Sequence, residues 1–277
     1  IIVSLGELGF YGYKLKKLNY IVYSINFNKN KFNFFKYYSL FSLIKKHKPN
    51  IVQTWMYHAD FIGGIFAKLL GIKKIIWGLR NSALDKKKIN YITRVIIYIN
   101  SKLSYYIPTH IVSCSKVAII DHENIGYNSK IFLHIPNGFY TNIKTPETII
   151  NNLYSKYNID QTYLTFSNFA RWDEQKDHRN LLNAFKIFKM NFKKKWVLFL
   201  AGKNIDSYNP SLMKLIIDYN LKDNIILLGK IDNVFEYFSI ININILASQY
   251  GEGFPNIIAE GMISGVPCIS TNIGDSN

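Results

Sequence analysis

The sequence predicts an α/β protein built from two doubly wound parallel sheets that face each other across a cleft. Short β-branched runs alternate with longer helical patterns along the chain, which is typical of βαβ units. The 277 residues are 48% hydrophobic, enough for two cores. The turn residues of "IPNGFYTNIKTP" (135–146) mark the predicted boundary between a domain of residues 1–139 and one of residues 140–277.

The individual elements follow from these patterns in chain order. Strands are predicted at 1–5, 20–25, 51–55, 74–78, 110–114 and 131–135, and then at 163–169, 196–201, 225–229, 240–246 and 267–271. Helices are predicted at 32–47, 59–70, 89–105, 177–192, 210–220 and 255–264. The chain opens on a strand without a Met and stops just after another strand, so we expect a fragment cut at both ends.

The positive charge is concentrated in the first half. Residues 1–139 contain 20 Lys or Arg and 5 acidic residues, whereas residues 140–277 contain 14 and 13. Compositional drift would raise both halves alike, so the asymmetry favours a surface that faces anionic lipid, nucleic acid or an acidic substrate. The segment 85–106, with Lys86, Lys87, Lys88, Arg94 and Lys102 among Ile, Val and Tyr, has the pattern of a helix lying in a membrane interface. An ordinary helix with solvated lysines fits this pattern equally well.

Several classes of protein are disfavoured by the sequence. The two cysteines, Cys114 and Cys268, do not form a disulfide framework and indicate a reducing compartment. The six histidines have no metal-ligand spacing, so no metal site is predicted. There is no signal-peptide pattern, and no apolar run is long enough to cross a bilayer.

A pair of carboxylates, Glu252 and Glu260, is the main candidate for a ligand site. Glu260 is the only charged residue between Gly253 and Gly274, on a predicted helix that is apolar nearly all round and therefore buried. A buried carboxylate needs a partner, which is either a basic side chain or the hydroxyls of a ligand diol such as ribose. Glu252 lies in the loop before this helix, where Gly253 allows close backbone approach and free amides favour phosphate.

A basic pair follows another strand of the same predicted domain. Arg171 and Lys176 lie in the loop after the strand at 163–169, and Arg171 is one of only four arginines in a lysine-rich chain. Together they could hold a diphosphate and stabilise it as a leaving group. A solvated loop paired with Asp173 and Glu174 is the alternative.

These residues together resemble a family 4 retaining glycosyltransferase of GT-B fold, of the type that builds bacterial surface polysaccharide and lipopolysaccharide. The resemblance spans essentially the whole chain. It is carried by the E-x7-E element "EGFPNIIAE" followed by "GVPCISTNIGDS", and by "FARWDEQKD", "FLAGKN", "LLGKIDNV" and "HIPNGFY". The sequence departs from the family in lacking the first strand with its Gly-rich loop and the final helices, and in having Arg80 where many relatives have a His.

The resemblance implies a role for each candidate residue. Glu260 would hold the ribose hydroxyls and Glu252 would contact the transferred sugar, while Arg171 and Lys176 would bind the diphosphate. The amides around Gly253, Phe254, Pro255 and Asn256 would cradle sugar and phosphate. His58 and Arg80 would line the cleft from the first domain, although a structural role is the more common one for a lone His.

The resemblance also implies the substrates and the cellular location of the protein. The donor would be a UDP- or GDP-linked hexose, transferred with retention and without a metal or other cofactor, and the sequence contains no D-x-D triplet. The acceptor would be a lipid-linked or polysaccharide glycan bound by residues 1–139. The protein would be cytoplasmic, in peripheral contact with the anionic inner face of the plasma membrane, and would not bind nucleic acid.

Other functions remain as alternatives. A different GT-B enzyme, such as a nucleotide-sugar epimerase or a phosphorylase, would release nucleotide without an acceptor or would require inorganic phosphate. A basic nucleic-acid-binding protein is the remote alternative, motivated by the charge, but it has no use for Glu252 and Glu260. The truncated chain could also be an inactive part of an active parent.

Overall fold

The computed structural model describes residues 1–27, 33–82, 89–141 and 144–276. These residues divide into two compact units. Unit 1 comprises residues 1–80, 85–113 and 119–134, and unit 2 comprises residues 81–84, 114–118 and 135–277. The structure confirms the predicted α/β class with parallel sheets.

Unit 1 alternates strands and helices along the first part of the chain. In order, the elements are β1 (Ile2–Ser4), α1 (Gly9–Lys17), β2 (Val22–Ser24), α2 (Phe34–His47), β3 (Ile51–Trp55), α3 (Tyr57–Leu69), β4 (Lys74–Leu79), α4 (Tyr91–Leu103), β5 (His110–Ser113), α5 (Lys116–Asn124) and β6 (Phe132–His134). The first three residues of α5, 116–118, are assigned to unit 2. Parallel pairing gives a four-stranded sheet in the order β3-β4-β5-β6 and a two-stranded sheet of β1 and β2. The six strands therefore lie where the sequence predicted them.

Unit 2 contains a single five-stranded parallel sheet. Its elements are α6 (Glu147–Tyr157), β7 (Leu164–Phe169), α7 (His178–Asn191), β8 (Trp196–Ala201), α8 (Pro210–Asp218), β9 (Ile225–Leu227), α9 (Val234–Phe238), β10 (Ile243–Leu246), α10 (Asn256–Ile263) and β11 (Cys268–Ser270). The strand order is β11-β10-β7-β8-β9. The chain moves outward from β7 to β9 and then returns to place β10 on the other side of β7. The gap between the carboxyl ends of β7 and β10 is thus the switch point at which doubly wound sheets bind ligands.

The core of unit 2 explains why the interior strand β8 is apolar throughout. Every residue of β8 is buried. Leu198 and Leu200 face a cluster with residues of α7 and α8, whereas Val197 and Phe199 face a cluster with residues of α6 and α9. Because side chains of a strand alternate between the two faces, a sheet covered by helices on both faces needs apolar residues at every position.

Four short helices were missed by the sequence analysis. These are α1, α5, α6 and α9, of 9, 9, 11 and 5 residues. α1 buries only Gly12 and carries no wide apolar stripe of the kind on which helix prediction depends. α6 does carry such a stripe, with Ile149, Ile150, Leu153 and Tyr154 against the core of unit 2, and the sequence analysis overlooked it. α1, α5 and α9 lie in short connections between parallel strands of one sheet, whereas α6 lies in the connection from β6 to β7, which belong to different sheets.

Candidate donor site

The two loops at the switch point of unit 2 carry the basic pair and the first carboxylate. The loop after β7 contains Arg171 and Lys176, and the loop after β10 contains Glu252. The loops are joined directly, because the backbone N–H of Gln249 donates to the carbonyl of Gln175 at 2.9 Å. Residues far apart in sequence are therefore brought together by the order of the strands.

Glu252 and Lys176 form a buried ion pair between their Oε1 and Nζ atoms. The side chains are only 12% and 14% exposed. The same Oε1 accepts a hydrogen bond of 2.7 Å from the Ser248 hydroxyl and a longer one of 3.4 Å from Gln175 Nε2. A carboxylate this shielded from water is stabilised by the ammonium group, and the ammonium group is stabilised in turn.

Arg171 lies at the exposed side of the same loop. Its Nε donates to Asp173 Oδ2 at 3.1 Å and its Nη2 donates to Gln175 Oε1 at 2.9 Å. The Arg171 and Asp173 side chains are 51% and 38% exposed, so their attraction is screened by solvent. Arg171 thus pairs with Asp173, one of the two acidic residues named in the solvated-loop interpretation. Its guanidinium group remains accessible to an anion from solution.

His178 lies beneath this loop at the start of α7. The imidazole is 2% exposed and its ring centroid is 5.1 Å from that of Trp172. Burial lowers the pKa of His178 to about 4, because the charged ring would lose its hydration. The ring is therefore neutral at physiological pH and packs against Trp172 beneath the loop that carries Arg171 and Lys176.

Backbone contacts fix the loop of Glu252 from the other side. Ser82 Oγ donates to the Glu252 carbonyl, and the N–H of Asp275 donates to the Gly253 carbonyl at 2.9 Å. A Cβ at Gly274 would overlap the carbonyl oxygens of both Glu252 and Gly253, so only glycine fits there. The glycine of this loop that needs a left-handed conformation is Gly251, at φ 76°, and Gly253 does not.

Asp275 also caps a second segment of unit 2. Its Oδ1 accepts from the Ser115 hydroxyl at 2.9 Å and from the Val117 N–H at 3.0 Å, and its Oδ2 accepts from the Lys116 N–H at 2.7 Å. These three charge-assisted bonds and the bond to Gly253 make Asp275 a structural link next to the Glu252 loop.

The N-terminus of α10 directly follows this loop and has no side-chain cap. The residue at the cap position is Pro255, whose side chain has no hydrogen-bond acceptor for the first-turn amides. The Phe254 ring stacks on Phe139 at 5.9 Å, and Asn256 Oδ1 accepts from Asn137 Nδ2 at 2.6 Å. These contacts hold the helix start in place. Uncapped amides with the positive end of the helix dipole form a site that favours phosphate.

Glu260 lies on α10 and its carboxylate is half-buried. Within the described ranges, no side chain or backbone group bonds to this carboxylate, whose own pKa is raised by burial alone. The predicted basic partner is therefore absent from these ranges, and the ligand-diol interpretation remains. The predicted full burial of the helix was wrong: only Ile258 and Gly261 are buried, and Met262 is 66% exposed. The helix contacts the sheet through one face, where Asn244 Nδ2 donates to the Ile257 carbonyl at 3.0 Å.

The two candidate residues from the first half lie in unit 1. His58 is exposed in the first turn of α3, shortly after Met56, which has an unusual positive φ of 70°. Arg80 follows β4 and its guanidinium carbon is 4.8 Å from the centre of the Trp55 ring. Both residues thus follow parallel strands, β3 and β4, at the carboxyl edge of their sheet.

An apolar groove of about 400 Å³ also lies in unit 1, beside β1 and β3. Its walls include Val3, Leu40 and Val52, with His47 and His58 as the ionisable residues. A nucleoside diphosphate needs cationic or amide donors for its phosphates, so this groove does not fit it.

Several site residues were not found by sequence reasoning. Ser82, Gln175, Ser248 and Asp275 contact the Glu252 loop or its carboxylate, but all are ordinary polar residues in loops. The only local signal was the "GDS" turn after β11, which follows the E-x7-E element. In the described ranges, no three of His, Cys, Asp or Glu come together as metal ligands, and no helix is long and apolar enough to span a bilayer.

A comparison with known families covers the part of the chain that contains this site. Residues 150–276 match the family model described as glycosyl transferases group 1, so this part of the chain is a glycosyl transferases group 1 domain. It contains β7 to β11 and the candidate residues Arg171, Lys176, Glu252 and Glu260. The fold is that of GT-B glycosyltransferases.

Individual relatives extend the similarity beyond that domain. The chain is 27% identical over 248 residues to an uncharacterized glycosyltransferase of Methanocaldococcus jannaschii, covering 85% of this chain and 58% of that protein. It is 25% identical over 248 residues to the Escherichia coli UDP-Gal:α-D-GlcNAc-diphosphoundecaprenol α-1,3-galactosyltransferase, covering 86% of this chain and 62% of that protein. The chain thus spans about three fifths of the length of both relatives.

A solved structure shows the same fold over nearly the whole chain. The crystal structure of Anabaena HepE in complex with UDP and glucose superimposes with a TM-score of 0.83 at 17% identity. The match covers 99% of this chain and 73% of HepE. At this identity the similarity establishes the fold, which is the one predicted.

Proposed function

We propose that the protein is a retaining glycosyltransferase that moves a hexose from a UDP- or GDP-linked donor to a lipid-linked or polysaccharide acceptor, without a metal. The observation that carries the proposal is the Glu260 carboxylate, half-buried and without a partner in the described ranges, on the helix whose N-terminal amides are uncapped. A carboxylate in that state fits the two adjacent hydroxyls of a ribose. The M. jannaschii and E. coli relatives, both glycosyltransferases by name, and the UDP and glucose bound to HepE support the choice of substrate class.

The Lys176–Glu252 ion pair suggests how the donor is accepted. In the ligand-free protein the two charges neutralise each other in a site with little exposure to water. A diphosphate bound at the α10 N-terminus would offer Lys176 a second anion, and the transferred sugar would offer Glu252 hydroxyl donors. Binding would then exchange one buried ion pair for two ligand contacts, so that neither charge is left unpaired.

The chemistry that follows uses residues of unit 2. Lys176 and Arg171 stabilise the negative charge that develops on the diphosphate as the bond to the sugar breaks. Arg171 can do so because its fork is exposed and only lightly held by Asp173. Glu252 orients the sugar through its hydroxyls. His58 and Arg80 of unit 1 are proposed to contact substrate from the first half of the chain.

The acceptor and the location complete the proposal. The E. coli relative acts, by its name, on a diphosphoundecaprenol-linked sugar, and the net charge of +15 on residues 1–139 suits an anionic acceptor or an anionic bilayer. We therefore propose a cytoplasmic protein in peripheral contact with the plasma membrane, with a role in surface-glycan synthesis.

A thermal-shift screen with UDP-, GDP- and ADP-sugars tests the donor role. A ligand present at 100 times its Kd should stabilise the folded chain by about 2.7 kcal/mol. Replacing Glu260 by Ala removes charge-assisted bonds worth about 1.5–3 kcal/mol and should weaken binding by roughly 10- to 100-fold. Glu236→Ala, which changes another partly buried carboxylate of unit 2, is the matched control and should bind as wild type does.

The outcomes separate the proposal from its alternatives. Stabilisation by one nucleotide class that falls to about 0.4–1.4 kcal/mol in Glu260→Ala but stays at the wild-type value in Glu236→Ala supports it. The absence of a shift with every nucleotide sugar, in wild-type protein shown to be folded, would refute it. Nucleotide release without an acceptor would indicate an epimerase, and the anomeric configuration of the product, read by NMR, tests retention.

A further inference from the structure

Helix α4 of unit 1 buries several polar residues and leaves several aromatic residues exposed. Asn100 and Ser101 are fully buried, and so is Ser104 at its C-cap, with Ile97 as the buried apolar residue of that face. Two of the buried polar groups donate hydrogen bonds: Asn100 Nδ2 donates to the Tyr57 carbonyl at 2.9 Å, and Ser104 Oγ donates to the Ser101 carbonyl at 2.7 Å. The Asn100 bond joins the inner face to α3, whereas the Ser104 bond lies within the α4 segment itself.

The outer face of α4 is aromatic and aliphatic instead. Tyr91, Val95 and Tyr98 follow one another at helical spacing and are 70%, 38% and 64% exposed. Ile92 flanks them at 57%, and the turn after the helix adds Tyr105 at 56% and Tyr106 at 73%. We call these six residues the α4 face. Large side chains rarely remain exposed in such a contiguous stripe unless they contact something.

Cationic side chains are interleaved with these rings. Lys102 continues the stripe one turn after Tyr98, and its Nζ is 5.5 Å from the centre of the Tyr98 ring. The guanidinium carbon of Arg94 is likewise 5.5 Å from the centre of the Tyr91 ring. The α4 face thus combines amphipathic rings with positive charge, as a helix in a membrane interface does. The lysines predicted to extend this segment, Lys86 to Lys88, lie outside the described residues.

The charge of the chain favours one candidate partner for the α4 face over the others. A second copy would bring a net charge of +15 from residues 1–139 against the same charge, which opposes association. A neutral glycan would gain nothing from Arg94 and Lys102. An anionic bilayer attracts the basic residues and accepts tyrosine rings at its headgroup level.

We infer that the α4 face is the surface through which this protein binds an anionic membrane, with the tyrosines at headgroup depth and Arg94 and Lys102 beside lipid phosphates. This inference refines the membrane contact of the proposed function, on which it rests for its biological meaning. Such an orientation would hold unit 1 at the bilayer, where a lipid-linked acceptor is found.

Vesicle flotation with the purified chain tests the inference. We expect wild-type protein to float with vesicles of phosphatidylethanolamine and phosphatidylglycerol but not with pure phosphatidylcholine. A variant with Tyr91→Ser, Tyr98→Ser and Tyr106→Ser should lose most of the binding. Lys102→Gln should weaken it about fivefold, because one basic residue near an anionic surface contributes about that factor.

Matched variants elsewhere in the chain control for lost aromatic area and charge. Tyr208→Ser changes a tyrosine of unit 2 that is 92% exposed, and Lys214→Gln changes an exposed lysine on α8. Both should float as wild type does. Tyr11→Ser with Tyr13→Ser tests the exposed rings of α1, which are 73% and 62% exposed. Circular dichroism confirms that each variant is folded.

Three results would overturn the inference: no binding of folded wild type to anionic vesicles, unchanged binding of the triple α4 variant, or loss only in the α1 variant. A dimer that the α4 variant abolishes, seen by light scattering without lipid binding, would assign the face to a second copy instead. Thermal shifts with the donor on the same proteins keep the two proposals apart. The α4 variant should retain the donor shift, whereas failure of the shift in wild type would refute only the transferase.

Discussion

The buried ion pair of Lys176 and Glu252 makes a prediction that can be measured without any substrate. Both side chains are largely shielded from water, at 14% and 12% exposure. Replacing Lys176 by Met leaves the Glu252 carboxylate with the Ser248 hydroxyl and the distant Gln175 amide as its remaining donors. Breaking such a pair typically costs about 3–5 kcal/mol, because an uncompensated charge stays buried.

A double-mutant cycle separates this coupling from the loss of packing. The variants are Lys176→Met, Glu252→Gln and the double variant, and the free energy of unfolding is taken from urea titration of the unit 2 transition. We expect a coupling energy of about 2–4 kcal/mol, with the double variant more stable than Lys176→Met because it no longer contains the unpaired carboxylate.

The exposed pair in the same loop provides the control. Arg171 and Asp173 are 51% and 38% exposed and are joined at 3.1 Å. An equivalent cycle with Arg171→Met and Asp173→Asn should give about 0–1 kcal/mol. Equal coupling energies for the two pairs would show that burial does not strengthen the Lys176–Glu252 interaction, and would refute the exchange of partners proposed for donor binding.

Three further predictions concern the support of the site. Burial lowers the folded-state pKa of His178 to about 4, below its usual 6.5, so the free energy of unfolding should fall by about 3 kcal/mol as the pH is lowered from 6.5 towards 4. His178→Phe should flatten this part of the pH dependence of unfolding, and an unchanged slope would contradict the prediction. Gly202→Ala should destabilise the folded protein more than Gly229→Ala does. Both glycines have positive φ, but only a new Cβ at position 202 overlaps a backbone oxygen, that of Ala170. Similar melting temperatures for the two variants would argue against the clash. Phe199→Ala, at a fully buried position of β8, should lower the free energy of unfolding by about 3–5 kcal/mol in urea titration, and a loss below about 1 kcal/mol would mean that the core refills the cavity.

The sequence located the strands better than the shorter helices. β8 is apolar at each position, and this pattern by itself indicates a strand that is buried on both faces. By contrast, α1 places Tyr11 and Tyr13 in solvent and buries only Gly12, so its pattern carries no apolar stripe to detect. Such a helix forms because the chain must cross from β1 to the parallel strand β2.

The sequence by itself determined the α/β class, the two carboxylates eight positions apart and the basic pair after β7, because alternation, spacing and residue type are local properties. Only the tertiary structure decided which of these groups meet. It paired Lys176 with Glu252 rather than with Asp173 or Glu174, since the switch point places the loops after β7 and β10 side by side. It left Glu260 half-buried and unpaired in the described ranges, since one face of α10 packs on the sheet and the other does not. Pairing and burial depend on the order of the strands, which no single stretch of sequence contains.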